Sequence, residues 1–219
     1  AVQMATTNTA TYFGVGRDMG AVVPGACADI VLWDDLKDFR ARMVWIDGEL
    51  VAQDGHALFE VGPFAWPMFM TNTMELGDLL MPEAFQFACD RPDGHCMVHA
   101  IEVNAGDTIT RDAIVEVPVH DGLLQADPAH DILKLCVFDR HHGGAGTYSH
   151  GFATGFGVHG ALAQTVSHDA HNLLVMGDND ADMLLAARTL EACGGGEVAV
   201  QEGRVLALVE LPVCGLMSD

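Results

Sequence analysis

Short apolar runs separated by turn residues dominate the chain, and few stretches carry helical periodicity. Residues 2–12 read as the end of a helix closed by Phe13-Gly14. Ala28 to Trp33 reads as a strand and Met43 to Ile46 as a second. Glu49 to Ala52 answers that second run across the two-residue turn Asp47-Gly48. Pro63, Pro67 and Pro82, mixed with Met and aromatic residues, mark residues 63–82 as a linker. Beyond it, Phe85–Cys89, Cys96–Val103, Ile109–Val117 and Asp131–Phe138 read as strands, and glycine-rich loop signals fill 143–160. Leu173–Met176 is a buried-strand run. Asp178-Asn179-Asp180 caps a helix whose Met183, Leu184, Ala187 and Leu190 recur at helical spacing, and Gly194-Gly195-Gly196 ends it. Val198–Val200 and Val205–Val209 close the chain as a hairpin around Glu202-Gly203. The pattern predicts an α+β fold in three parts: 1–62, the linker 63–82, and 83–219 around a multi-stranded sheet.

Bulk properties narrow the function classes. The 219 residues suffice for one large or two small domains, and half are hydrophobic. Ten basic against 31 acidic residues give a formal charge of −21, which repels nucleic acid and anionic membranes; neither is expected as a partner. Six scattered cysteines with no CxxC suit free thiols in a reducing compartment. No signal peptide is visible at the start, and no apolar run reaches the roughly 18 residues of a membrane span, so the expectation is a cytoplasmic protein. The chain opens on Ala1 and stops just after an apolar segment, which points to a portion of a longer polypeptide.

The candidate chemistry is concentrated. Eight of the eleven histidines lie between His120 and His171, and neutral imidazole both ligates metals and moves protons near pH 7. Ser167-His168-Asp169-Ala170-His171-Asn172 is the densest patch, and Arg140-His141-His142-Gly143-Gly144 is a second. As a strand, the first patch sends Asp169 and His171 to one face. As a helical turn, it groups His168 with His171 and Asn172. The first arrangement suits a His–carboxylate pair aimed at a ligand and the second a metal pair. A third option is that these groups only satisfy loop backbone and a buried polar network, with Arg140 paired to Asp139 or Asp169. Gly143 to Gly157 lacks a following GK[ST] and a clean GxGxxG, so a turned or moving lid fits better than a phosphate loop. Ser149 and Ser167 lack a G-x-S-x-G elbow. Asp178 to Asp182 lacks the glycine and distant Glu of a calcium loop.

Longer motifs carry a family resemblance. Thr6 to Ala10, Phe13-Gly14, Gly20 to Gly25, Ala28 to Leu32 and Val44 to Val51 resemble the tail of the amidohydrolase superfamily, where the last barrel helix leads into a small β-sandwich. Asp131 to Lys134, Arg140 to Gly143, Gly151 to Gly157, Thr165 to Asn172, Gly177 to Met183, Gly194 to Gly196 and Leu211 to Ser218 resemble, in order, the C-terminal domain of the adenine deaminase family. The resemblance spans essentially the whole chain. It implies a β-sandwich segment followed by an α+β C-terminal domain, a purine substrate, a binuclear Mn2+ or Fe2+ centre and a homo-oligomer. It also implies that the TIM barrel bearing the metal ligands is absent, since the chain contains no His-x-His pair.

On that resemblance, none of the barrel's catalytic residues is present. His141, His142, His168, Asp169, His171 and Asn172 are the candidates for a substrate site or its lid. His168 and His171 are also candidates for an auxiliary metal. Two alternatives stay open: a non-catalytic oligomerisation or metal-binding module, and another cyclic-amidine or amide hydrolase of the superfamily.

Overall fold

The computed structural model describes residues 1–104 and 106–218. The chain divides into two compact units, Ala1–Phe64 and Ala65–Asp219. In the first, two short helices, α1 (Val2–Ala5) and α2 (Thr7–Tyr12), precede a four-stranded antiparallel meander. Its strands are β1 (Ile30–Trp33), β2 (Ala41–Ile46), β3 (Glu49–Gln53) and β4 (His56–Ala57). The two-residue turns Asp47-Gly48 and Asp54-Gly55 both have positive φ throughout, the geometry that matches the right-handed twist of paired strands.

The second unit is built on a ten-stranded mixed sheet. After α3 (Met68–Thr71) come β5 (Phe87–Ala88), β6 (Gly94–Glu102), β7 (Arg111–His120), β8 (Leu123–Leu124), β9 (Ile132–Phe138) and β10 (Tyr148–Thr154). β11 (Ala161–Gln164), β12 (Leu173–Gly177), α4 (Asp180–Cys193), β13 (Gly196–Gln201) and β14 (Arg204–Glu210) complete it. The strand order is β14-β13-β11-β12-β9-β10-β6-β7-β8-β5, antiparallel except where β10 runs parallel to β6. Asp121-Gly122 and Glu202-Gly203 turn the chain between β7 and β8 and between β13 and β14 with the same positive φ pair. The α+β class is therefore observed, and no barrel of strand–helix units occurs among the described residues.

α4 forms where its caps and periodicity direct. The Asn179 side chain accepts from the Asp182 N–H at 2.8 Å, and Asp180 and Asp182 complement the positive N-terminal dipole. Gly194, at φ +86°, ends the helix in the left-handed conformation a glycine tolerates. Met183, Ala186, Ala187 and Leu190 are buried at i, i+3, i+4 and i+7 against β11, β12 and β13. Full burial of Leu190 alone is worth about 2 kcal/mol.

β9 shows how the sheet is shared between its faces. Ile132, Cys136 and Phe138 join the main core beside α4, and Leu133 and Leu135 pack into a smaller cluster on the opposite face. The segment read as a linker, 63–82, is more than a connector. Met74, Leu76 and Leu80 from it are buried in the main core, with Leu76 and Leu80 fully enclosed. Prolines masked three anchors whose spacing fits neither a helix nor a strand.

The glycine-rich stretch also holds structure that turn residues concealed. Tyr148–Thr154 forms the central strand β10, and Ala161–Gln164, directly after the stretch, forms β11. The loop between them is clamped by Asp131, whose carboxylate accepts the Gly155 and Gly157 N–H groups, each at 2.7 Å. Those amides are thus engaged by protein, which removes the donors a phosphate would need.

Candidate functional site

The two histidine-bearing patches meet around a buried guanidinium. Arg140 follows β9, is 1% exposed, and has no carboxylate partner among the described residues. Its Nε donates to His171 O at 2.6 Å. One terminal nitrogen donates to Thr73 O (2.8 Å) and Thr73 Oγ1 (2.9 Å), and the other to Cys214 O (2.8 Å). Three segments far apart in sequence are therefore tied to one planar fork, a task the geometry of Arg suits and Lys does not. Burial pulls the guanidinium below its ordinary pKa. Gly215 lies flat against it, where a Cβ would come within 2.8 Å of the guanidinium. The expected pairing of Arg140 with Asp139 or Asp169 does not occur: each of its three nitrogens is engaged by a carbonyl instead, with the Thr73 hydroxyl as a fourth acceptor.

Ser167–Asn172 is not a strand; it makes a single α-turn that does not continue as a helix, and it brings His168 to His171 as the helical-turn reading expects. It is a tight loop closed by the His171 N–H donating to Ser167 O at 2.7 Å, with His171 itself at φ +52°. The His168 and His171 rings stand edge to face with centroids 5.7 Å apart. His168 pairs with the adjacent Asp169, and both side chains are more than 80% exposed. His171 Nδ1 is shielded from solvent and has no hydrogen-bond partner among the described residues. Asn172 is half-buried next to it in sequence.

The Arg140 loop turns toward this one. His141 Nε2 donates to Ala170 O at 3.1 Å, which ties the two patches together. His142 Nδ1 lies 2.6 Å from Asp139 Oδ2 and is exposed. The Asp139 carboxyl is held below its usual range chiefly by the His141 N–H, with the His142 imidazole adding to it against partial burial. A cleft of about 460 Å³ opens beside this loop, lined by Met68, Phe69, Asn72, Thr73, Glu75, Arg140 and His141. Asn72 donates to Glu75 across its floor at 3.1 Å.

The structure thus gathers His141, His142, His168, Asp169, His171 and Asn172 at one end of the second unit, with an apolar wall (Met68, Phe69) and a carboxylate (Glu75) that sequence spacing does not announce. Glu75 and Thr73 stand more than 60 residues upstream of Arg140, and only the fold brings them there. The other histidines are dispersed. His150 stacks on Phe87 and donates to Ala84 O at 2.7 Å, and His130 and His159 pair with Asp127 and Asp178. His168 and His171 belong to no group of three metal-ligating side chains among the described residues. The one such group is Asp93, His120 and Asp121, at the far end of the sheet around the β7–β8 turn, all exposed.

Chemically, the cleft offers an exposed imidazole (His141), a carboxylate (Glu75) and an amide (Asn72) beside an apolar wall, and the exposed His168–Asp169 pair stands on the neighbouring loop. Ser149 is exposed in β10, and the Ser167 carbonyl accepts the His171 N–H that closes the turn.

Two family matches give this arrangement its context. Residues 1–51 match the amidohydrolase family, a class of hydrolase. Residues 107–219, more than half of the chain, match the adenine deaminase C-terminal domain, and the chain belongs to that family. An adenine deaminase of Clostridium botulinum (strain Loch Maree / Type A3) is 45% identical over 220 residues, covering all of this chain and 36% of the relative. One of Moorella thermoacetica is 44% identical over 220 residues, all of this chain and 37% of the relative. Adenine deaminase 3 of Rhizobium meliloti is 39% identical over 221 residues, again all of this chain and 37% of the relative. The chain spans just over a third of the length of the curated relatives it matches.

Proposed function

We propose that this chain is the C-terminal portion of an adenine deaminase, which converts adenine and water to hypoxanthine and ammonia, and that it works as a scaffold with a polar rim beside the reacting centre. The observation that carries the rim role is the Arg140 fork. All three nitrogens of this buried cation hold backbone carbonyls, at residues 73, 171 and 214, so the His141 and His168–Asn172 loops are presented in one fixed arrangement. In that arrangement the exposed His141 and the exposed His168–Asp169 pair are available as donors and acceptors for the edges of a planar base, and the apolar Met68–Phe69 wall of the cleft beside His141 suits its face.

The reaction replaces the exocyclic amino group of the purine by oxygen. In the resemblance, a binuclear Mn2+ or Fe2+ centre supplies an activated water for it. The residues present do not fit such a centre: the sequence has no His-x-His, and among the described residues only the exposed Asp93–His120–Asp121 group has ligand spacing. We therefore assign this chain no metal ligand and no step of the chemistry. The ligands belong to the part of the relatives that the chain does not span.

The expected outcome is that the purified chain, supplied with Mn2+ or Fe2+, releases no ammonia from adenine; measurable turnover overturns the proposal. In a full-length relative, alanine at the positions matching His168 and His171 is expected to lower activity while leaving melting and assembly unchanged. Loss of folding instead would favour the second reading, a purely structural or oligomerisation module. That reading draws support from His142 and His141, which already have protein partners.

A further inference from the structure

The terminal strand of the large sheet is built unlike an ordinary edge. β14 (Arg204–Glu210) pairs with β13 on one side and with no other strand among the described residues. All seven of its residues are exposed, including Val205 (43%), Leu206 (63%), Leu208 (37%) and Val209 (54%). Five consecutive residues, Val205 to Val209, are apolar, so neither face of the strand carries the polar alternation of a solvated surface. The sheet's other end is treated in the usual protective way: β5 has two residues, and Phe87 is buried. A strand with an open backbone edge, charges only at its two ends and apolar side chains on both faces between them is a pairing surface.

The order of side chains along β14 indicates what pairs with it. About Ala207 the sequence is symmetric in chemistry: Leu206 mirrors Leu208, Val205 mirrors Val209, and Arg204 mirrors Glu210 with opposite charge. We propose that β14 pairs antiparallel with β14 of a second copy of this chain, across a two-fold axis at Ala207.

In that register, Arg204 of each copy stands opposite Glu210 of the other, twice over. Valine meets valine, leucine meets leucine, and the smallest side chain of the strand sits on the axis. Directly opposed residues in an antiparallel pair bring their Cβ atoms about 5 Å apart, close enough for both the ion pairs and the apolar pairs to form. The contact is isologous and closes on itself, so it stops at two copies. The ion pairs also select the arrangement, because a one-residue slip sets Arg204 against an apolar residue and leaves Glu210 unpaired. Leu206 is the extra residue of a bulge against β13, where Ala199 pairs with Ala207 but Val200 with Val205. The symmetric contact carries that bulge once on each side of the axis.

A second observation fits. An apolar trough of about 600 Å³ runs along the face of the sheet away from α4, and Ala207, Leu208 and Val209 form its outer wall beside Leu162, Leu174 and Met176. Joining two copies at β14 makes the two troughs one continuous apolar surface and covers the outer edge at which each of them ends. This inference stands independently of any role in deamination.

The test is the mass of the purified chain by sedimentation velocity, from about 1 to about 100 µM. The expected species is a dimer, twice 23.3 kDa. Arg204→Glu is expected to weaken the dimer roughly tenfold or more by opposing like charges, and Arg204→Glu combined with Glu210→Arg to restore it to within about threefold of wild type. Arg204 is exposed, so circular dichroism should show an unchanged fold in both. Ala207→Cys is expected to give an interchain disulfide on mild oxidation that the wild type does not form. A monomer throughout the range overturns the proposal. So does a dimer that neither responds to the charge reversals nor crosslinks through position 207.

Discussion

Replacing Arg140 by alanine should be among the most damaging single changes in the second unit. The guanidinium satisfies three buried or half-buried backbone carbonyls and the Thr73 hydroxyl at 2.6–2.9 Å. A buried acceptor left without a donor costs about 1–3 kcal/mol. Water entering the vacated space recovers part of that, and removing the buried cation relieves its own desolvation. The net loss expected is ~3–5 kcal/mol, or a drop of roughly 10 °C in melting temperature for a unit of this size. Arg140→Lys keeps the charge but offers one nitrogen to three segments, so it should recover less than half of the loss. Urea unfolding followed by circular dichroism gives the free energies. Amide exchange at His171, whose own N–H closes the 167–171 turn, reports whether the loop has been released. A loss below about 1 kcal/mol for Arg140→Ala, or unchanged exchange at His171, would refute the account of Arg140 as the tie between the loops.

Other outcomes follow from buried polar groups. Lys134, 1% exposed, donates to Asp180 at 2.7 Å and to Phe85 O at 3.0 Å and sits 5.0 Å over the Phe87 ring; Lys134→Met should cost about 2–3 kcal/mol in the same unfolding assay. Burial pushes the Asp182 carboxyl up, but the Asn179 amide and the Gly203 and Glu202 N–H groups outweigh it and leave its pKa lowered. Its stabilising contribution is therefore full above the unfolded value of about 3.9 and fades as pH falls through the lower folded value. Asp182→Asn should flatten the loss of urea resistance between about pH 5 and 3, and an unchanged profile would exclude Asp182 as its source. Burial pushes the Cys136 thiol up to about 12, so iodoacetamide at pH 8 should spare Cys136 in the folded chain, label the exposed Cys27, and reach Cys136 only in urea.

Hydrophobic patterning located most elements because the signals there are local. The Asp47-Gly48 and Glu202-Gly203 hairpins, the β9 run and the capped α4 each depend on residues within a few positions of one another. β10 was hidden because Gly151 and its glycine-rich flanks carry turn signals, whereas pairing with β9 and β6 on both sides supplies the order that propensity lacks. The candidate site was half legible. Composition marked the two histidine patches, but which residues join them depended on Arg140 reaching backbone carbonyls 67 and 74 positions away. Carbonyls are present at every residue, so no side-chain pattern encodes such a contact. The conformation of the 167–172 loop was undetermined for the same reason, since its shape is set by Arg140 and His141 rather than by its own periodicity.

The lone parallel junction, where β10 lies beside β6, has a kinetic consequence. On either side of it, neighbouring strands are mostly close in sequence and can zip from tight turns such as Asp121-Gly122 and Glu202-Gly203. The junction itself joins Ala100 to Phe152, so a large loop must close before any of its bonds forms. Two sub-sheets should therefore assemble early and merge late, and mutations at that seam, Ala100 or Phe152 among them, should slow refolding less than they hasten unfolding.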